Sequence, residues 1–177
     1  MTVDDPHGLT GFIREIDDWP EPGVGFKDIT PLLADARSFA TVVDRLADHF
    51  VGMGITAVVG IEARGFVVAA PVAHRLAAGF VPVRKPNKLP SAVEFEEYEL
   101  EYGTDRLEIH RDAIAPGARV VVIDDVIATG GTAAATVRLV EAIGGTVVGL
   151  GFVVELAFLG GAELIGGHEH VALVTYR

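Results

Sequence analysis

Two adjacent carboxylates, Asp124 and Asp125, stand a few residues ahead of a small turn, Ala128-Thr129-Gly130-Gly131-Thr132, in the segment VVVIDDVIATGGT (120–132). Vicinal carboxylates accept hydrogen bonds from the two hydroxyls of a sugar. Bare N–H groups feeding a helix N-terminus hold a phosphate, because unpaired donors and the macrodipole both favour an anion. Contiguous in one segment, the two features read as a site for a phosphorylated ribose. The rival is a nucleotide-binding strand of the Walker B kind, which also ends in acidic residues. That reading requires a Gly-Lys phosphate loop, and the chain has no Gly-Lys pair.

Such residues need rigid elements beneath them. Residues 120–123 are continuously apolar and β-branched, which predicts a strand buried on both faces of a parallel sheet, with the aspartates emerging at its carboxyl end, where α/β sheets bind ligands. A helical run follows at 133–143. Leu9, Phe12, Ile13 and Ile16 have helical spacing and predict a helix ending before Pro20; 20–31 is too rich in turn formers for a regular element. Phe39, Val42, Val43, Leu46 and Phe50 predict a second helix, capped by Ser38. Strands at 56–61, 80–84, 119–124, 146–154 and 171–176 alternate with helical stretches, so the fold class is α/β with a five-stranded, mainly parallel sheet flanked by helices. Residues 85–109 are long for a connection, and alternation at Tyr98, Leu100, Tyr102, Leu107 and Ile109 predicts a hairpin that folds over a site as a lid.

Half of the 177 residues are apolar, enough for one well-filled core and one domain spanning 1–177. The absence of cysteine excludes disulfides and thiolate metal sites and is compatible with a reducing cytosol. The polar, acidic start MTVDDPHGLT resembles neither a signal nor a transit peptide, and no apolar run approaches the roughly 20 residues of a membrane span. A cytoplasmic protein with no membrane partner is expected. The net charge of −11 argues against nucleic acid as a partner. Of three lysines, Lys85 and Lys88 fall within five residues that begin at Arg84, which supplies local positive charge for a phosphorylated substrate.

Three further segments narrow the family: PGVGFKDITP (22–31), GIEARGF (60–66) and RKPNKLP (84–90), the last followed by YELEYGTDRLEI (98–109). Residues 120–132 resemble the phosphoribosyl pyrophosphate (PRPP) motif of type I phosphoribosyltransferases. All the segments together resemble the adenine phosphoribosyltransferases, in the same order and at similar spacing over nearly the whole chain. The resemblance implies a type I phosphoribosyltransferase fold with a small N-terminal hood (1–34) and a hairpin lid (85–109). It implies attack of adenine on C1 of PRPP, giving AMP and pyrophosphate, with Mg2+ and a homodimer. The ion is expected on PRPP oxygens and water, since no all-protein cage is visible and His168-Glu169-His170 reads as a turn.

Residue by residue, the resemblance gives Asp124 and Asp125 the ribose hydroxyls and Ala128, Thr129, Gly130, Gly131 and Thr132 the 5′-phosphate. Glu62, Ala63 and Arg64 form the pyrophosphate loop, with a cis peptide expected at Glu62-Ala63. Lys88 contacts pyrophosphate, and Arg84 reaches the neighbouring subunit's site. Phe26 stacks on adenine, backbone groups of Gly25 and Lys27 read its edge, and Val126 packs on the other side. Glu101 manages the purine ring proton from the lid, beside Tyr102. Departures are Gly25, where a bulkier residue is expected, and Asn87, where glycine is; asparagine tolerates left-handed backbone. The alternatives are a 6-oxopurine enzyme, disfavoured because no lysine follows Lys88, and a PRPP-sensing regulator, disfavoured because neither a winged-helix domain nor a basic face is visible.

Overall fold

The computed structural model describes residues 2–19, 21–23, 25–99 and 104–177. Glu101, Tyr102 and the turn of the expected hairpin lie outside the described residues. In chain order the strands are β1 (Val3–Asp4), β2 (Arg14–Ile16), β3 (Phe26–Asp28), β4 (Ala57–Ile61), β5 (Gly79–Val83), β6 (Val93–Glu99), β7 (Thr104–His110), β8 (Arg119–Ile127), β9 (Thr146–Leu156) and β10 (His170–Tyr176). The helices are α1 (Thr30–Ala34), α2 (Ala36–Phe50), α3 (Arg64–Arg75) and α4 (Gly131–Ala142).

All five expected strands form and lie parallel in the order β10-β9-β8-β4-β5, and the two-residue β1 adds a sixth strand, antiparallel to β10. The direction in which the chain adds strands reverses between β4 and β8. Period two divides the core between the two faces of the sheet. Val121 and Ile123 pack with Val42, Leu46 and Phe50 of α2 and Val68 and Val72 of α3. Val120 and Val122 pack with Ala135, Leu139 and Val140 of α4 and with Tyr98, Leu107 and Ile109 of the β6-β7 hairpin. The hairpin is therefore anchored: Leu107 and Ile109 are fully buried, at about 2 kcal/mol each.

The N-terminal region departs from expectation. Residues 9–16 form a 3-10 turn (Thr10–Phe12) and then β2 in place of a helix. The Asp5 carboxylate accepts from Leu9 N at 2.9 Å and Thr10 N at 2.8 Å, fixing a tight turn, and Ile16 pairs with Phe26 across a β2-β3 hairpin. Residues 20–31, expected to lack regular structure, hold β3 and the start of α1. Helix α2 is capped by Asp35, whose side chain accepts from Ser38 N at 2.8 Å, so the cap lies three residues earlier than expected. Helix α4 starts at Gly131, not Ala133, behind Gly130 at φ 82°.

Candidate active site

Strand β8 does not end at Asp124. Its pairing with β4 stops at Ile123, whereas its pairing with β9 continues to Ile127. Asp124 and Asp125 thus stand where β8 has lost one neighbour and kept the other. That is the crevice where strand order reverses, and open α/β sheets bind ligands there.

The first turn of α3 closes onto this point. A Cβ at Gly65 would lie 2.5 Å from Asp124 Oδ1, so only glycine lets the helix approach so closely. Arg64, the first residue of α3, donates from Nε to Asp125 Oδ2 at 2.5 Å, and its guanidinium lies 5.1 Å from the centre of the Phe26 ring. The Glu62-Ala63 peptide bond is cis, as expected. Burial, and then the neighbouring Asp125 carboxylate, push the Asp124 carboxyl well above its ordinary range. Asp125 N donates to Asp124 Oδ1 at 2.9 Å, which works against that rise.

Three cavities meet at the aspartates. One of about 250 Å3 is lined by Glu62, Ala63, Arg64, Lys85, Tyr98, Asp124, Asp125 and Thr132, among others. A second of about 90 Å3 follows the turn, Val126 to Ala133, and shares Asp124 and Thr132 with the first. The third, about 660 Å3 and largely apolar, is lined by Gly25, Phe26, Lys27, Val126, Leu156, Phe158 and Leu159 with neighbours, and shares Arg64 and Asp125 with the first. Lys27 lines it while its ammonium is held by Glu15 at 2.5 Å and lies 4.4 Å from the centre of the Tyr176 ring. The chain thus offers a polar compartment for a polyanion, a backbone cradle and an apolar slot, with two carboxylates at their junction.

The cation loop after β5 is tied down by carboxylates. Glu62 accepts from Arg84 Nε at 3.1 Å, Arg84 Nη2 at 3.3 Å and Lys85 N at 2.9 Å. Although burial works the other way, these donors hold the Glu62 carboxyl below its ordinary range. Glu108, buried on β7, accepts from Asn87 N at 3.1 Å, and Asn87 takes the left-handed backbone that asparagine tolerates, φ 64°. Lys88 is exposed and lines none of the three cavities.

Lys85 does line the first cavity, paired with Asp105, which also accepts from the Tyr98 hydroxyl at 3.1 Å; Thr132 Oγ1 donates to that same hydroxyl at 3.3 Å. Burial opposes it, but the Lys85 hydrogen bond, the Arg106 N–H and the Lys85 charge leave Asp105 below the usual carboxylate range. Lys85 counts only as local positive charge and Tyr98 only in the hairpin alternation, and neither they nor Asp105 receive a site role from the sequence. The clustering of Lys85 with Arg84 and the inward alternation of Tyr98 were the available signals. Trp19, whose ring packs edge-on against Phe26 with centroids 4.3 Å apart, also gave no sign in the sequence.

Comparison with known proteins agrees with this geometry. The phosphoribosyl transferase domain family matches residues 29–158. An adenine phosphoribosyltransferase of Alkaliphilus metalliredigens is 54% identical over 168 residues, 95% of this chain and 99% of the relative. The crystal structure of adenine phosphoribosyltransferase from Thermoanaerobacter pseudethanolicus superimposes with a TM-score of 0.92 at 49% identity, covering 95% and 98% of the two chains. The Saccharomyces cerevisiae enzyme, solved with an imino-altritol bisphosphate and adenine, does so with a TM-score of 0.88 at 37% identity, covering 93% and 96%.

Proposed function

The chain belongs to the phosphoribosyl transferase domain family, with the adenine phosphoribosyltransferases as relatives, and on that premise we propose how its residues divide the work. It transfers the 5-phosphoribosyl group from PRPP to adenine, giving AMP and pyrophosphate. The convergence of three chemically distinct cavities on Asp124 and Asp125 carries this reading.

The 5′-phosphate sits in the cradle at 128–132, where backbone donors and the start of α4 receive it. Asp124 and Asp125 accept from the ribose hydroxyls and place negative potential near C1 as positive charge develops there. Pyrophosphate occupies the compartment of Glu62, Ala63, Arg64 and Lys85, within reach of the loop that carries Lys88. Adenine lies in the apolar slot between Phe26 and Val126. Glu101 takes the ring proton as the purine nitrogen attacks and the bond from C1 to pyrophosphate breaks.

Mg2+ fits this arrangement as an ion carried by the substrate. Glu62 and Asp125 are already engaged by Arg84, Lys85 and Arg64, and among the described residues no group of three His, Asp or Glu side chains converges into a cage. Bound to PRPP oxygens, the ion would neutralise charge on the leaving group.

The edge of β5 supports a homodimer. Phe80 is exposed there and Val67 is exposed on α3, and Phe66, edge-on to Phe80, has its ring centre 5.9 Å from the Arg84 guanidinium. Within its own chain Arg84 is held by Glu62 and by the Lys88 carbonyl at 3.2 Å, so reaching a neighbour's site means leaving them. Among the described residues no helix is long and apolar enough to cross a membrane, and a cytoplasmic location suits the chemistry.

An assay of AMP formation from adenine, PRPP and Mg2+ tests the whole. Turnover of adenine far above hypoxanthine and guanine is expected; preference for a 6-oxopurine would overturn it. Glu101→Gln should leave calorimetric PRPP affinity intact and cut kcat by about a hundredfold, and unchanged turnover would remove Glu101 from the mechanism.

A further inference from the structure

Between β9 and β10 the chain forms two 3-10 segments, Ala157–Leu159 and Gly161–Ile165. This arm has no place in the division of labour above, yet it touches two of the three compartments. Phe158 and Leu159, both exposed to the cavity side, line the apolar slot. Gly161, itself buried, packs directly against the phosphate turn. A Cβ at Gly161 would lie 2.2 Å from Ala128 O, 2.7 Å from Gly130 N and 2.9 Å from Thr129 C, and a Cβ at Gly130 would lie 2.2 Å from Gly161 O. Every one of these atoms is main chain, so no side-chain rotation relieves the clash. The contact is backbone on backbone, closed on both sides by glycine.

We infer that Gly161 is a positioning residue for the transfer reaction: its main chain is the backstop against which the 128–131 turn is set, and its arm fixes the separation between the phosphate cradle and the base wall. A turn whose N–H groups must converge on a dianion has little tolerance for displacement, since a misplacement of about 1 Å costs up to a hundredfold in a preorganised site. The arm supplies rigidity that the glycine-rich turn lacks on its own. Because Phe158 and Leu159 precede Gly161 on the same arm, phosphate and base are gauged from one element. The inference rests on the proposal that the 5′-phosphate sits in this turn.

Gly161→Ala is the test, read by steady-state kinetics. The KM for PRPP should rise about tenfold or more and kcat should fall about tenfold as the spacing between phosphate and base is lost, while the KM for adenine stays within about threefold of the parent. Gly160→Asn is the control: φ is 68° there, nothing lies within 4 Å of a Cβ, and asparagine tolerates that backbone, so its KM for PRPP should stay unchanged. Where Gly161→Ala does not fold, amide hydrogen exchange of the parent decides: the 129–131 amides should be protected in the free protein as strongly as those of α4, and rapid exchange there overturns the inference. An unchanged KM for PRPP in a folded variant overturns the inference. So does a rise confined to adenine, which would mean that the arm yields and the turn does not. Calorimetric titration of the unmodified protein with PRPP and Mg2+ separates the two failures, because absence of binding there defeats the functional reading itself.

Discussion

The two walls of the polar compartment are built in different ways. On one side, Asp124, Asp125 and the 128–132 turn belong to β8 and the start of α4, held by strand pairing, by main chain packed on main chain and by glycines that admit it. On the other, Lys85 lines the compartment from a loop, shared with Arg84 and Lys88, that is held by side-chain carboxylates: Glu62, Asp105 and Glu108. The first wall is rigid before substrate arrives. In the second, Arg84 and Lys85 are already held by carboxylate partners, from which a polyanion must take them over. On the proposed assignment, a backbone-built wall sets affinity for the ribose phosphate, and a side-chain-built wall sets how the leaving group is received.

Asp124→Asn probes the first wall and should have the largest effect. PRPP affinity should fall roughly thirtyfold, about 2 kcal/mol, for the loss of a charged acceptor. The free protein should at the same time melt at a higher temperature, because the buried like-charge pair disappears. The sign follows from the raised carboxyl: the folded state holds a proton that the unfolded state releases, so stability falls as pH rises from the ordinary carboxylate value through the raised one. Thermal melts across that window should slope downward in the parent and flatten in the variant. A variant no more stable than the parent would show that Asp124 is not under the strain of its neighbour.

Glu62→Gln loosens the second wall by weakening the acceptor shared by Arg84 and Lys85 N. The expected loss is about fivefold in kcat/KM, shrinking with added salt because screening weakens the same ion pair in the parent. A salt response equal to that of Asp124→Asn would erase the distinction between the walls. Asp105→Asn should be smaller: Lys85 is 42% exposed, so separating it from Asp105 should cost under about 1 kcal/mol of stability, read from urea melts. Smallest is the acid response. Glu62 and Asp105 sit below their ordinary range, so their stabilisation is complete above the unfolded value of about 4 and is lost as pH falls through the lowered folded values. Parent and Asp105→Asn melts should converge there.

The same division explains what could be read in the sequence. Residues 120–132 were legible because strand, carboxylates, turn and helix are consecutive, and their chemistry follows from local order alone. The cis bond at Glu62-Ala63 and the left-handed Asn87 were legible through resemblance. The choice of cation was not. Successive side chains leaving β5 face opposite ways, and only the arrival of Tyr98 and Asp105 from a separate hairpin shows that Lys85 is the lysine turned into the cavity. Residues 9–16 misled for the opposite reason. Apolar spacing suited a helix, but Asp5 fixed the 3-10 turn and Phe26, ten residues beyond Ile16, claimed that residue as a strand partner.

With Leu107 and Ile109 sealed against Val120 and Val122, the forearm of the hairpin is masonry. The catalytic cycle proposed above leaves that hydrophobic seam closed. A catalytic cycle of this kind can run many times over while amide protons of 105–109 stay shielded from exchange, as deep in the protein as those of the central sheet.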